Sequence, residues 1–355
     1  MNKLRILLIP ISLLYGFAVW MRNKLFDWKL LKSTSFKIPL ISVGNITVGG
    51  TGKTPHVEYL IELLKETLNV AVLSRGYRRK TKGFVLAGKK ASPATIGDEP
   101  YQIYRKFDKV DVAVCESRVE GVNKLLNKRR KINAVLLDDA FQHRYIQPGL
   151  SILLIDFNRP VFSDYLLPAG NLREGLAARK RAHIIIVSKA PEELSETTKR
   201  FWEHQIKLLP GQYLFFTTFR YGKPKTISGN KPEYNDISQL KDKKVSVLLV
   251  TGIANPAPML NYLGESGTKF TAMHFSDHHN FTSADIRKIK TAFKKLKGKR
   301  KILLTTEKDA VRFQHLDNFP KSLKNNAYYL PIKIAFLDGM TEKFNRMILD
   351  YAGKN

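Results

Sequence analysis

The sequence predicts an α/β protein: a doubly wound parallel sheet, a second and smaller α/β domain joined to it by a two-stranded β linker, and an apolar, membrane-associated helix at the N-terminus. Three observations carry this reading. From Lys37 onward, short apolar β-branched runs alternate with helical patterns, as strands and crossover helices of a parallel sheet do. A glycine-rich stretch ending in Gly52-Lys53-Thr54 stands between the first such run and the first helical pattern, the strand–loop–helix context of a P-loop. A shorter series of the same kind follows the first.

The N-terminal element comes first. Met1-Asn2-Lys3-Leu4-Arg5 precedes an uncharged run from Ile6 to Met21, and Arg22 and Lys24 follow it. Sixteen helical residues reach roughly 24 Å, short of a hydrocarbon core of about 30 Å. Pro10 and Gly16 weaken a straight spanning helix further, and no A-x-A cleavage pattern lies between Val19 and Leu25. Residues 1–24 therefore read as a helix that holds on at a membrane surface without spanning it, with flanking cations favouring the cytoplasmic face. A buried core helix and a signal peptide are the alternatives.

Strands are expected at Ile38–Val43, Val70–Leu73, Val112–Cys115, Ala134–Leu137, Ile152–Ile155 and Ile184–Val187, with room for a crossover helix between most of them. These define a first domain over 25–212. The second series, Val245–Val250, Phe270–His274 and Ile302–Thr305 with helices near Ala257–Leu263 and Ser283–Leu296, defines a second over 223–326. Segments 213–222 and 327–336 are strand-like and suited to pair as the linker, and 337–355 is expected to return as a helix to the first domain.

Composition sets the class of partner. Sixty Lys and Arg against 31 Asp and Glu leave +29 on 355 residues, and 43% hydrophobic with 26% charged excludes a disordered chain. A single cysteine, Cys115, excludes a disulfide framework and, with no Cys/His cluster, a structural zinc site. Such a basic chain meets phosphate on nucleic acid, on anionic lipid or on a small anionic substrate. Residues 287–301 carry nine of the cations, over an apolar stripe of Ile286, Ile289, Phe293 and Leu296. That is a solvated basic back on a core-facing helix, or a surface for anionic headgroups or nucleic acid.

The chemistry-bearing residues lie where strands end, which is where open parallel sheets bind ligands. In Thr47-Val48-Gly49-Gly50-Thr51-Gly52-Lys53-Thr54, glycines let backbone N–H groups converge on phosphate, Lys53 reaches the β and γ phosphates and Thr54 is placed for Mg²⁺. Strict GxxxxGK[ST] asks for Gly where Thr47 stands; the bland alternative is a glycine turn with a buried lysine. Val135-Leu-Leu-Asp138-Asp139 has the form of a Walker B strand, or else of a loop cap. Asp98 and Glu99 open a helical pattern, Arg75 follows another strand, Arg173 and Glu174 sit in a loop, and Asp277-His278-His279 offers a proton-transfer or metal element in the second domain. No NKxD sequence occurs, which disfavours a guanine-specific enzyme.

Taken in order, the apolar helix, GGTGKTP at 49–55, SRGY at 74–77, GDEP at 97–100, DDAFQHR at 138–144, PAGNLRE at 168–174, GIANP at 252–256, DHH at 277–279 and TEKDAVR at 306–312 resemble the tetraacyldisaccharide 4′-kinase family, the inner-membrane lipid A kinases of Gram-negative bacteria. The resemblance covers nearly the whole chain. Ala140, Asn171 and Arg78 depart from the family pattern. It implies ATP- and Mg²⁺-dependent transfer of a γ-phosphoryl group to the 4′-hydroxyl of a lipid A disaccharide precursor by a monomer on the cytoplasmic face of the bacterial inner membrane, touching an anionic membrane surface and no nucleic acid. It further implies Asp98 as base supported by His278, with Lys53 as the third catalytic residue. Thr54, Asp138, Asp139 and Glu174 would surround Mg²⁺. Arg75, Arg118 and Arg173 would steady phosphates, with Glu99, Gln142 and His143 at the acceptor's charged groups. A nucleic-acid-stimulated P-loop ATPase and a non-catalytic membrane scaffold are the competing classes.

Overall fold

Leu40–Asn45 (β1), Val70–Ser74 (β2), Ala134–Asp138 (β5), Leu150–Asp156 (β6) and Ile184–Ser188 (β7) are buried at every position. Unbroken apolar burial on both faces is what a strand covered by helices on two sides requires. The computed structural model of the protein describes residues 5, 7–129, 131–277, 279–314, 316 and 319–353. They fall into two units, Met1–Phe219 with Ile334–Asn355, and Arg220–Lys333.

The first unit is built on a nine-stranded sheet in the order β14-β8-β7-β6-β1-β5-β2-β4-β3, where β3 is Val85–Leu86, β4 Asp111–Val114, β8 Tyr213–Tyr221 and β14 Ile332–Phe336. Pairs from β4 through β8 are parallel, and β3 adds antiparallel to β4. Strand β1 lies between β5 and β6, so the chain turns back across it. Open parallel sheets place their ligand sites beyond the carboxyl ends of the strands at such a switch point. Helix α2 (Lys53–Leu64) leaves β1 and buries Val57, Leu60, Ile61 and Leu64 in the core beneath. Helices α3 (Asp98–Lys106), α4 (Arg118–Lys128) and α5 (Glu196–Ile206) supply further crossovers.

The predicted strands appear within one to two residues of their expected ends. The two linker segments lie side by side as β8 and β14, and β8 is also the neighbour of β7, so the pair extends the first sheet. Residues Ala327–Leu330 instead form β13 of the other sheet. The two-residue strands β3 and β9 (Lys225–Thr226) were beyond reach of periodicity.

The second unit holds a five-stranded sheet, β11-β10-β12-β13-β9, with β10 Ser246–Thr251, β11 Phe270–His274 and β12 Lys301–Thr306. It is parallel except at β9. Helices α6 (Ala257–Glu265), α7 (Ser283–Lys295) and α8 (Glu307–Gln314) pack on it, and the basic α7 buries Ile286 and Ile289 as its stripe predicted. Helix α9 (Thr341–Gly353) ends the chain in the first unit, burying Phe344, Ile348 and Ala352.

The N-terminal helix α1 spans Ile9–Asp27. Its pattern is inside out: Ser12 is buried, while Leu13, Leu14 and Phe17 are 69%, 72% and 60% exposed. Among the described residues, no helix is long and apolar enough to cross a membrane.

Candidate active site

Strand β1 delivers the chain into the glycine loop, and side chains from several elements fix its shape. Asn45 Nδ2 donates to Thr51 Oγ1 at 2.8 Å and to the Gly49 carbonyl at 3.4 Å. Gly49 and Gly52 adopt φ of 92° and 85°, the left-handed region where a side chain is strained. A Cβ at Gly52 would also lie 2.4 Å from Phe219. Lys189, at the end of β7, donates from Nζ to the Gly50 carbonyl and to Asp156 Oδ2, the latter at 2.6 Å. Arg159 reaches the same carboxylate at 3.4 Å and the Val48 carbonyl at 3.4 Å.

Buried His56 closes the loop from below. Its Nδ1 lies 2.8 Å from the Gly52 carbonyl, which only accepts, so Nδ1 carries the proton. Nε2 then accepts from Thr217 Oγ1 at 3.1 Å. Burial pushes the imidazole down to about 4, which keeps it in this neutral tautomer.

The acids sit one strand away, in register. Val43 of β1 pairs with Asp138 of β5, and Asp139 follows with φ of 48°. Lys53 Nζ lies 3.6 Å from Asp139 Oδ1, and Arg173 reaches both Asp139 oxygens at 3.3 Å. Burial would raise the Asp139 carboxyl, but Lys53 and Arg173 outweigh it and hold the group below its ordinary range. Asp138 behaves oppositely. Burial first, then the charges of Glu99 and Asp139, push it up to about 7 against the opposing pull of Lys53 and Arg118.

Asp138 Oδ1 is buried without a hydrogen-bond partner. An unpaired carboxylate oxygen one strand from the glycine loop is the kind of group that a cation completes, so Asp138, with Thr54 of the first turn of α2 as the loop's hydroxyl, fits a nucleotide-bound Mg²⁺, which takes few protein ligands and keeps waters and phosphates for the rest.

The remaining predicted residues separate. Glu174 has one oxygen engaged and one open: its Oε2 accepts from Arg181 at 2.6 Å and from Asn23 at 3.4 Å, while its buried Oε1 has no hydrogen-bond partner. Arg118, expected at the phosphates, is turned into the protein. It is 1% exposed, and its guanidinium donates to the carbonyls of Cys115, Glu116, Asp138 and Asp139, tying the ends of β4 and β5 together. Arg75 is exposed beyond β2. Asp98 and Glu99 form the first turn of α3, with Gly97 at φ 90° packed against the carbonyl of Tyr77. Gln142 braces the loop through Asn45, donating to its carbonyl at 2.7 Å. His143 is half-buried, and burial together with Arg118 lowers its pKa. His278 lies outside the described residues. Its neighbour His279 is held 3.0 Å from Asp285 in the second unit.

Sequence reasoning missed Asp156, Lys189 and His56. Asp156 ends β6 as Asp138 ends β5, a strand-terminal acid that the same rule would have flagged. His56 follows the Lys53-Thr54-Pro55 signature directly.

Comparison with known proteins identifies relatives over nearly the whole chain. The family model described as tetraacyldisaccharide-1-P 4′-kinase matches residues 4–352. Among curated relatives named tetraacyldisaccharide 4′-kinase, that of Phocaeicola vulgatus is 48% identical over 352 residues, covering 98% of this chain and 95% of the relative. That of Flavobacterium johnsoniae is 42% identical over 355 residues, covering 100% and 99%. The crystal structure of the "apo" form of LpxK from Aquifex aeolicus in complex with ATP superposes with a TM-score of 0.76 at 30% identity, covering 98% of this chain and 99% of that one.

Proposed function

The chain belongs to the tetraacyldisaccharide 4′-kinase family, matched by its model over residues 4–352, and from that premise we propose that the residues gathered beyond β1 and β5 perform its reaction. It is a kinase of lipid A biosynthesis that passes the γ-phosphoryl group of ATP to the 4′-hydroxyl of tetraacyldisaccharide 1-phosphate. The observation that carries the site assignment is the chain Lys53–Asp139–Arg173, which lines two cations and a carboxylate along the rim of the glycine loop.

Phosphoryl transfer through a loose transition state asks for positioned charge more than covalent chemistry. The backbone N–H groups of Gly49 to Thr54 and the N-terminus of α2 bind the phosphate oxygens. Lys53 leaves Asp139 for the β and γ phosphates, and Arg173 takes up charge beside it. Thr54 and Asp138 are the residues that would hold Mg²⁺, with Asp139 behind. Bound Mg²⁺ neutralises charge that builds on the transferring and leaving oxygens. Asp98, at the start of α3, accepts the proton of the acceptor hydroxyl, and the motif match alone offers His278 as its support. Arg75 and Gln142 complete the acceptor side with Glu99 and His143. Arg118 acts from behind, holding the carbonyls of the two acids in place.

The exposed apolar face of α1 leans on the anionic cytoplasmic leaflet of the inner membrane, where the acyl chains of the acceptor reside, and the excess of 29 positive charges adds attraction. The test is ADP release by the purified chain with detergent-dispersed tetraacyldisaccharide 1-phosphate against single-stranded nucleic acid, with the phosphorylated position mapped. Stimulation by the lipid alone, lost about 10²- to 10⁴-fold in Asp98→Ala, is expected. Stimulation by nucleic acid, or an unaffected Asp98→Ala, defeats the assignment.

A further inference from the structure

The inward face of α1 carries Phe26, which packs on Tyr145, and beside it a set of polar side chains, Ser12, Tyr15, Arg22 and Asn23, that hydrogen-bond to residues 142 and 169–174. Ser12 Oγ accepts from the Ala169 amide at 2.9 Å. The Tyr15 hydroxyl donates to the Arg173 carbonyl at 3.0 Å, and Asn23 Nδ2 donates to Glu174 at 3.4 Å. Arg22 donates to the carbonyl of Gln142 at 3.0 Å. Gly16 lets the helix approach so closely that a Cβ there would meet Leu166 at 2.7 Å.

The strap thus held, residues 164–174, is stiffened internally by Asp164, whose carboxylate accepts from the amides of Tyr165 and Asn171 and from the Asn171 side chain. It then docks backbone to backbone on the glycine loop. The amide of Val48 donates to the Asn171 carbonyl at 2.8 Å, and the amide of Arg173 donates to the Ile46 carbonyl at 2.8 Å, with Thr47 and Leu172 paired between them. The side chain that leaves this strap is Arg173, which reaches Asp139 and through it Lys53. Helix α1 is therefore one hydrogen bond from Arg173 and two from the phosphate loop.

We propose that Ser12 and Tyr15 are positioning residues for phosphoryl transfer: they set the strap that carries Arg173 and lies along residues 46–48, so that α1 is a part of the active site's scaffold as well as its membrane-facing surface. The proposal rests on the kinase reading of the site. A helix serving only to attach would gain nothing from burying a serine and aiming a tyrosine at a catalytic loop's carbonyl, since apolar residues there would pack as well. Placing those polar groups on the inner face also couples what the outer face touches to the geometry of the phosphate loop.

Tyr15→Phe and Ser12→Ala separate positioning from attachment. Both keep every exposed apolar residue of α1. The expected result is a fall in kcat of about 3- to 10-fold for Tyr15→Phe, the range of one neutral hydrogen bond, with acceptor presented in detergent micelles. ATP affinity, followed by titration calorimetry without acceptor, should weaken by a similar factor in Ser12→Ala, while co-sedimentation with anionic vesicles stays at the wild-type level. Melting temperature confirms that both variants are folded at the assay temperature. If kcat and ATP affinity of both folded variants lie within about twofold of wild type, or if activity falls only in vesicles and in step with lost association, the positioning role is overturned. If the wild-type chain itself fails to phosphorylate the disaccharide, the kinase reading falls instead, and the calorimetric comparison still tests the link from α1 to the loop.

Discussion

Lys53 Nζ stands 3.6 Å from Asp139 Oδ1, so the lysine proposed to reach the transferring phosphate is held beside the glycine loop by a carboxylate from the adjacent strand. The carboxylate in turn is gripped by Arg173. This arrangement keeps a flexible four-carbon side chain aimed before substrate arrives, which reduces the ordering required at the chemical step. Lys53→Ala removes the cation and releases Asp139 to Arg173 alone. It should lower kcat by about 10²- to 10³-fold, as losing one well-placed transition-state donor does, with the fold intact by circular dichroism. Near-normal turnover in the purified variant would defeat the assignment of residues 47–54 as the phosphate loop.

The pKa of about 7 at Asp138 gives a second test, because a ligand to a cation must be ionised. Below that pH the carboxyl holds a proton that binding of Mg²⁺-nucleotide displaces. Calorimetry in two buffers of different ionisation enthalpy should register release approaching about one proton at pH 6 and little at pH 8.5, and Asp138→Asn should abolish the difference. The same shift has a stability consequence. A carboxyl whose folded pKa is raised contributes stability that is full below its unfolded value near 3.9 and is lost as pH rises through about 7, so Asp138→Asn should stabilise the ligand-free protein at pH 8. Proton release that ignores pH would show that Asp138 does not meet the cation.

Much of the placement of the candidate site's residues was legible in the sequence, and the exceptions have a common physical origin. Asp138 and Asp139 could be read because a buried apolar strand must end somewhere and its terminal acids then stand where open parallel sheets bind ligands. Lys53 and Thr54 could be read because glycine spacing and a following helix specify a backbone shape. Glu174 could be read only in part. Sequence shows a carboxylate two residues after a leucine that pairs with the loop, but not that Arg181 and Asn23 will take one of its oxygens and leave the other buried without a partner. Arg118 entered only through the family resemblance, and the folding of its guanidinium back onto four carbonyls depends on where β4 and β5 end in space. Helix α1 shows the same limit: an uncharged run announces an apolar surface, and only the packing reveals that Ser12 and Tyr15 face inward.

His56 offers a pH test that leaves the catalytic groups untouched. Its folded pKa of about 4 lies below the usual 6.5 because the ring is buried. Its contribution to stability is therefore present above pH 6.5 and is lost as pH falls through about 4, amounting to roughly 3 kcal/mol across that window. Urea denaturation of wild type and His56→Gln at pH 7 and pH 4.5 isolates this term, since the opposing trend from Asp138 is common to both proteins. Wild type should lose more stability than the variant on acidification. Parallel losses would mean that the Gly52 and Thr217 contacts survive protonation.

The outer face of α1 makes the last prediction, and the inner face decides how to test it. Removing residues 1–21 takes away Leu14 and Phe17, but it also takes away Ser12 and Tyr15, so a truncated protein would lose membrane attachment and loop geometry together. Point substitutions separate them. Leu14→Asp and Phe17→Asp alter side chains that are 72% and 60% exposed, which leaves the packing of α1 on the strap in place. If these residues enter the interface of an anionic bilayer, each substitution forfeits about 1.5–3 kcal/mol of apolar transfer, and vesicle association should weaken at least about tenfold. What binding remains should come from the basic surface and fall steeply between low and physiological salt. Variants that associate as tightly as wild type would place the membrane contact elsewhere, with the cationic face of α7 as the next surface to mutate. A loss confined to low salt would point the same way, since apolar insertion is insensitive to screening.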